Sequence, residues 1–166
     1  MPQFRYACTL LLLVSARVSA QPAAAQPADF VLVKKSEAKL YLMRQGAPIA
    51  AFHIALGGNP VGHKQKQGDG RTPEGRYTLD ARNERSAYYK SLHVSYPNAR
   101  DREQARRNGV SAGGDIMIHG QPNGWVQYEA MTQTRNWTLG CIALTNEDMD
   151  VVWSAVPVGT PIEIDP

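Results

Sequence analysis

One thiol and one imidazole carry the most chemistry in this chain. Cys141 sits in the stretch NWTLGCIALTN, between Gly140 and Ile142. His119 ends the apolar run DIMI 22 positions earlier and is followed at once by Gly120. A cysteine attacks carbonyl carbon as thiolate, and a histidine within hydrogen-bond reach can take its proton. A residue at a strand end beside a glycine projects from a rigid element into open space. Gly140 leaves room for a substrate backbone, and consecutive N–H groups around Cys141 can bind the oxyanion of a tetrahedral intermediate. These types in this order point to acyl transfer through a Cys–His pair, a chemistry that needs neither metal nor other cofactor.

The remaining candidates read differently. His53 lies mid-strand between Phe52 and Ile54 and is expected on a strand face; His63 lies in a polar loop and is expected to be solvated. His93 alternates with Leu92 and Val94, which puts it on one face with Ser91 and Ser95 and makes it a candidate cleft residue. Trp125, Tyr128 and Trp137 fall between the histidine and the cysteine, where they either wall a sugar–peptide groove or pack at its rim. Asp115, His119 and Cys141 can also be read as metal ligands, but no histidine pair has zinc spacing.

The elements that position these residues are mostly strands. DFVLVKK and AKLYLMRQG form a β-hairpin, and APIAAFHIALGG continues as a third strand closed by Gly57 and Gly58. The Gly- and Pro-rich run after it is a long loop, of a length that is commonly functional, ending in a strand over Arg76 to Leu79. YYKSLHVSYPN reads as another strand, GGDIMIHG as a short one, and TPIEIDP as a closing one. Asn98 caps a helix over ARDREQARRN that Gly109 stops. Thr145 or Asn146 caps a second, with Met149, Val152, Trp153 and Val156 on one face. The fold class is mainly β with two short helices, in one domain over 29–166.

Residues 1–20 have the layout of a secretory signal peptide: Arg5, an apolar run from Tyr6 to Val14 too short to span a bilayer, and small residues up to Ala20. Residues 21–28, QPAAAQPA, read as a mobile linker. Cleavage near Ala20 removes Cys8, Arg5 and Arg17, so 18 basic side chains fall to 16 against 15 acidic ones and the net charge falls from +3 to +1. That balance gives no argument for nucleic acid or an anionic membrane as partner. Exported proteins meet oxidising conditions, so a lone thiol there is either buried and inert or kept for its reactivity.

IMIHG followed by TLGCIAL resembles the signature of the L,D-transpeptidase (YkuD) catalytic domain, and RTPEGRYTL resembles that family's Thr-Pro-x-Gly-x-Tyr/Phe segment. LGGNPVG, YYKSLHVSYPN and NWTLGCIALTNEDMD look closest to a short exported Gram-negative branch; together the segments cover 29–166. The resemblance implies a β-sandwich with a cleft presenting Cys141. It implies attack by Cys141 on the diaminopimelate–D-alanine bond of peptidoglycan stem peptides, with His119 as general base and acid. Gly120 matches the carbonyl that orients the imidazole, Gly140 the oxyanion-hole backbone, and Thr138 the family's Ser/Thr. Carbapenem-type inhibitors and an outer-membrane-anchored lipoprotein are implied partners. Two positions depart from the pattern: Leu139 stands where His or Arg is usual, and Ala143 where Arg is usual. Arg135 is the nearest replacement cation, and Leu139, Trp137 and His93 are further candidates for substrate contact. Transfer to an amine, hydrolysis by the same site, and non-catalytic wall binding are the outcomes that this reading separates, with the protein in the periplasm.

Overall fold

The computed structural model describes residues 27–166. The expected signal segment 1–20 and residues 21–26 of the expected linker lie outside the described residues. The linker ends earlier than expected: Ala28 is already buried, and its N–H donates to Ala155 O at 2.8 Å.

Eight strands form one sheet. They are β1 (Phe30–Lys34), β2 (Lys39–Arg44), β3 (Ala47–His53), β4 (Gly75–Ser86), β5 (Tyr89–Val94), β6 (Met117–His119), β7 (Ile142–Ala143) and β8 (Thr160–Asp165). Their spatial order is β3-β2-β1-β8-β4-β5-β6-β7, with β1–β8 and β6–β7 parallel and the other pairs antiparallel. Alternation drives it: Val31, Val33, Leu40, Leu42, Ile162 and Ile164 are all buried on the same core, as period-two side chains on one sheet face must be. The chain leaving β3 at one edge runs to β7 at the other. There Ala55 and Ala143 exchange both backbone hydrogen bonds, at 2.9 and 2.8 Å. The sheet therefore curls until its two edges meet, and the site lies where they do.

The helices are α1 (Ala99–Arg107), α2 (Glu129–Thr132) and α3 (Asn146–Ala155). Asn98 caps α1 by accepting from Arg100 N and Asp101 N, while the Asp101 carboxylate accepts from Asn98 N in return, a reciprocal capping box. Thr145 Oγ1 caps α3 through Asp148 N, and Met149, Val152 and Ala155 turn inward, at the i, i+3 spacing of a core-facing stripe. Two expectations are corrected. The strand expected over Arg76 to Leu79 runs on to Ser86, because beyond Leu79 the β4–β5 hairpin leaves the core and six consecutive exposed residues carry no hydrophobic period. The helix α2 and the 3-10 turn Val126–Tyr128 were not expected; elements this short leave no periodicity to read.

The long loop from Gly57 to Glu74 is tied down from within. Asp69 accepts from Lys64 Nζ (2.8 Å), Gln65 N (2.7 Å), Lys66 N (3.1 Å) and Arg71 N (3.1 Å). Burial pushes this carboxyl up, but Lys64 and the three N–H groups outweigh it and hold its pKa down at about 2. A carboxyl depressed on folding stabilises above its unfolded pKa and loses that contribution as pH falls through the folded value. Asp69→Asn is therefore expected to cost on the order of 2 kcal/mol at pH 7. Thermal denaturation should show a melting temperature several degrees lower than wild type at pH 7, and the gap should close between about pH 4 and pH 2.

His63, expected to be solvated, belongs to the same framework. Its Nδ1 accepts from Glu74 N at 2.9 Å and its Nε2 lies 3.1 Å from Asp101 Oδ1. Its two ring nitrogens thereby link the loop to α1.

Candidate active site

Strands β6 and β7 run parallel, with Ile118 opposite Ile142 and His119 opposite Ala143. This register carries His119 and Cys141 to one side of the sheet, and both line a single cleft of about 690 Å³. The loop through Lys64, Gln67 and Gly68, the strand end Asp115–Met117 and the β4–β5 hairpin tip complete its walls.

His119 is 4% exposed. Its Nδ1 donates to the carbonyl of its own neighbour, Gly120 O, at 2.7 Å. With the proton held there, Nε2 keeps its lone pair. Burial disfavours the imidazolium and lowers the His119 pKa below the ordinary value, against a smaller upward pull from the Gly120 bond. Gly120 itself cannot be larger: a Cβ there would come within 2.5 Å of Asn146 Oδ1, which accepts from Gln121 N. Its N–H donates to Tyr88 O at 3.1 Å, which anchors the hairpin tip over the ring. Tyr88 tilts over the imidazole at 4.7 Å between centroids, and Trp137 meets it edge-on at 5.9 Å. Tyr88 was not among the sequence candidates. Its only signal is its place at the turn of a hairpin whose polar strand has no readable period.

Cys141 is half-buried and free. Its thiol donates to Asp115 O at 3.5 Å, and no hydrogen bond joins it to His119 in this conformation. Burial raises the thiol pKa above its ordinary value; the Asp115 charge adds to this, while Met117 N–H and the Lys64 charge oppose it. Both shifts favour the same resting state, a neutral thiol beside a neutral imidazole.

Gly140 lies at φ +135°, and a Cβ there would come within 2.6 Å of Arg71 O. Only glycine fits this close backbone approach. Its N–H donates to Thr138 Oγ1 at 3.1 Å, and that hydroxyl donates to Cys141 O at 2.7 Å. The Gly140 N–H is thus occupied and not free for an oxyanion, contrary to expectation. Among the described residues, the Cys141 N–H has no protein acceptor.

Thr138, Leu139 and Trp137 line the cleft, with Leu139 84% exposed at its rim. His93 does not: it faces Asp80, its Nδ1 within hydrogen-bond distance of Asp80 Oδ1. Along β5 the register is unbroken, with Ser91 opposite His119 and His93 opposite Met117, so His93 keeps the face of Ser91 but lies further along the strand, opposite the β4 bulge that contains Asp80. Arg135 is exposed and stands outside the cleft lining as well. Ala143 is fully buried against Ala55, a place with no room for a cation. Trp125 and Tyr128 pair edge-on at 6.1 Å, half-exposed and outside the cleft lining.

Residues 28–164 match the family model of the L,D-transpeptidase catalytic domain, YkuD. Among curated proteins the chain is similar to YafK of Escherichia coli (strain K12), which carries the L,D-transpeptidase name provisionally. The two are 32% identical over 108 residues, 64% of this chain and 36% of YafK. Among solved structures it is similar to the helical cell shape determining protein Pgp2 from Campylobacter jejuni, with TM-score 0.62 and 26% identity over 81% of this chain and 46% of that one. L,D-transpeptidase 3 from Mycobacterium tuberculosis, solved with a faropenem-derived adduct, shares the fold at TM-score 0.56 and 14% identity, over 84% of this chain and 61% of that one. The chain thus spans about a third of the length of YafK and a little under half of that of Pgp2.

Proposed function

The chain belongs to the YkuD family of L,D-transpeptidase catalytic domains, and from that premise we propose that it is an exported cysteine acyltransferase acting on peptidoglycan stem peptides. The observation that supports this reading is the shared cleft: the Cys141 thiol and a His119 whose Nδ1 proton is held by Gly120 O, so that Nε2 faces the reaction as a base.

Substrate enters, and the thiol turns from Asp115 O toward His119 Nε2 by rotation about Cα–Cβ, a change of rotamer. Catalytic hydrogen bonds often tighten only in the substrate complex. His119 Nε2 takes the thiol proton as sulfur bonds to the carbonyl carbon of the diaminopimelate residue. The oxyanion is met by the unoccupied Cys141 N–H. The C–N bond then breaks, and the departing D-alanine nitrogen takes the proton from His119. The thioester is resolved by an acceptor amine, which gives its proton to His119 as the C–S bond breaks; His119 returns it to sulfur. An amine on a second stem peptide makes a crosslink, and an amine on an envelope lipoprotein makes an attachment. Peptidoglycan lies outside the cytoplasmic membrane, and residues 1–20, read as a secretory signal, deliver the domain there.

The test is product analysis on whole peptidoglycan by mass spectrometry of the released muropeptides. New diaminopimelate–diaminopimelate crosslinks are expected. Stems shortened by one D-alanine without crosslinks would make water the acceptor and the protein a carboxypeptidase. Unchanged muropeptides with folded protein would overturn the reading.

A further inference from the structure

Lys64 is a buried charge that the proposed mechanism does not use. It is 4% exposed, yet it lines the same cleft as Cys141. Lysine is among the residues least often buried, and a buried ammonium is retained where its hydrogens find acceptors. Here Nζ donates to Asp69 Oδ1 at 2.8 Å and to Lys66 O at 3.2 Å. An ammonium has three hydrogens, so one is left without an acceptor among the described residues. Asp69 is meanwhile saturated by its backbone donors, which fix Lys64 in position. Among the cleft-lining residues Lys64 is the one lysine or arginine, since Ala143 and Arg135 supply none there. The loop bearing it packs tightly on the opposite wall: Gln67 N donates to Ser111 O at 2.8 Å, and a Cβ on Gly113 would touch Gln67 at 3.2 Å.

A cation fixed in the nucleophile's cleft, with a donor to spare, suits an anionic group. The substrate of the proposed reaction brings one anion of fixed position. The residue expelled by the thiol carries a terminal carboxylate two bonds beyond the scissile nitrogen, so it must be accommodated in the thiol's own cleft. We propose that Lys64 is a specificity-determining residue that receives the free C-terminal carboxylate of the expelled amino acid, restricting the enzyme to stems that end one residue past the attacked carbonyl. This rests on the reaction proposed above. The same charge acts favourably on the thiolate.

The probes are two synthetic stem tetrapeptides, one ending in D-alanine with a free carboxylate and one ending in D-alanine amide. Release of the terminal residue gives kcat and KM for each. Wild type is expected to prefer the acid on the order of 100-fold in kcat/KM. Lys64→Gln should bring the acid-to-amide ratio of kcat/KM down to near one, mainly through the KM of the acid; Lys64→Arg should keep most of the preference. A wild-type ratio near one overturns the proposal without any variant, and so does Lys64→Gln with a wild-type KM for the acid. Equal losses on both substrates with a lowered melting temperature assign Lys64 to holding the loop, and overturn it too. In each of these cases the wild type still releases a product, so the proposed reaction stands. Release from neither substrate by wild type removes the reaction itself and this proposal with it.

Discussion

Cys141→Ala is expected to lower product formation on peptidoglycan by at least about 10⁴-fold, to the level of a blank without enzyme. Removing the nucleophile of a covalent mechanism eliminates the intermediate, and the binding groups that remain recover only a small part of the acceleration. The loss should fall on kcat. The fold should survive, because the thiol's bond to Asp115 O, at 3.5 Å, is long and weak and Cys141 is only half-buried. A melting temperature close to wild type, beside absent crosslinking, would separate chemistry from stability. The same substitution should abolish a covalent carbapenem adduct, which intact-protein mass spectrometry should find on the wild type at one site. An adduct or residual turnover in Cys141→Ala would place the nucleophile elsewhere.

His119→Gln is expected to cost about 10²- to 10⁴-fold at neutral pH, the usual contribution of a positioned general base. The pH dependence carries the sharper test. Burial raises the Cys141 thiol and lowers His119 from their ordinary values. At pH 7 the wild type therefore rests with neutral sulfur and a neutral base, and sulfur is deprotonated only as it attacks. Without the base, attack requires thiolate formed by bulk hydroxide, whose fraction climbs tenfold per pH unit below the thiol pKa. The deficit of the variant should narrow as pH rises through and beyond the ordinary thiol range. Alkylation of the wild type by iodoacetamide should likewise climb with pH and show no plateau near neutrality. A neutral-pH plateau would mean a preformed thiolate–imidazolium pair, and a pH-independent deficit would give His119 a purely structural part.

The sequence by itself determined the local chemistry and the local elements. Alternation in FVLVK, KLYLMR and TPIEID places Val31, Leu40 and Ile162 in the core, because a strand has two faces and only one is dry. Asn98 and Thr145 mark the starts of α1 and α3, because cap geometry is decided within four residues. Cys141 and His119 stand out locally because each adjoins a glycine, Gly140 and Gly120, whereas the part of the Gly120 carbonyl comes from the family resemblance. Tertiary structure decided everything that depends on strands distant in the chain. It curled the sheet so that Ala55 meets Ala143, and closed the site between its two edges. It withdrew His93 toward Asp80 and left Arg135 outside, brought Tyr88 over His119, and spent the Gly140 N–H on Thr138. It also set Lys64 in the cleft that holds the thiol, from a loop with no local pattern. Burial and pairing across the sheet are sums over many residues, and no short stretch of sequence contains them.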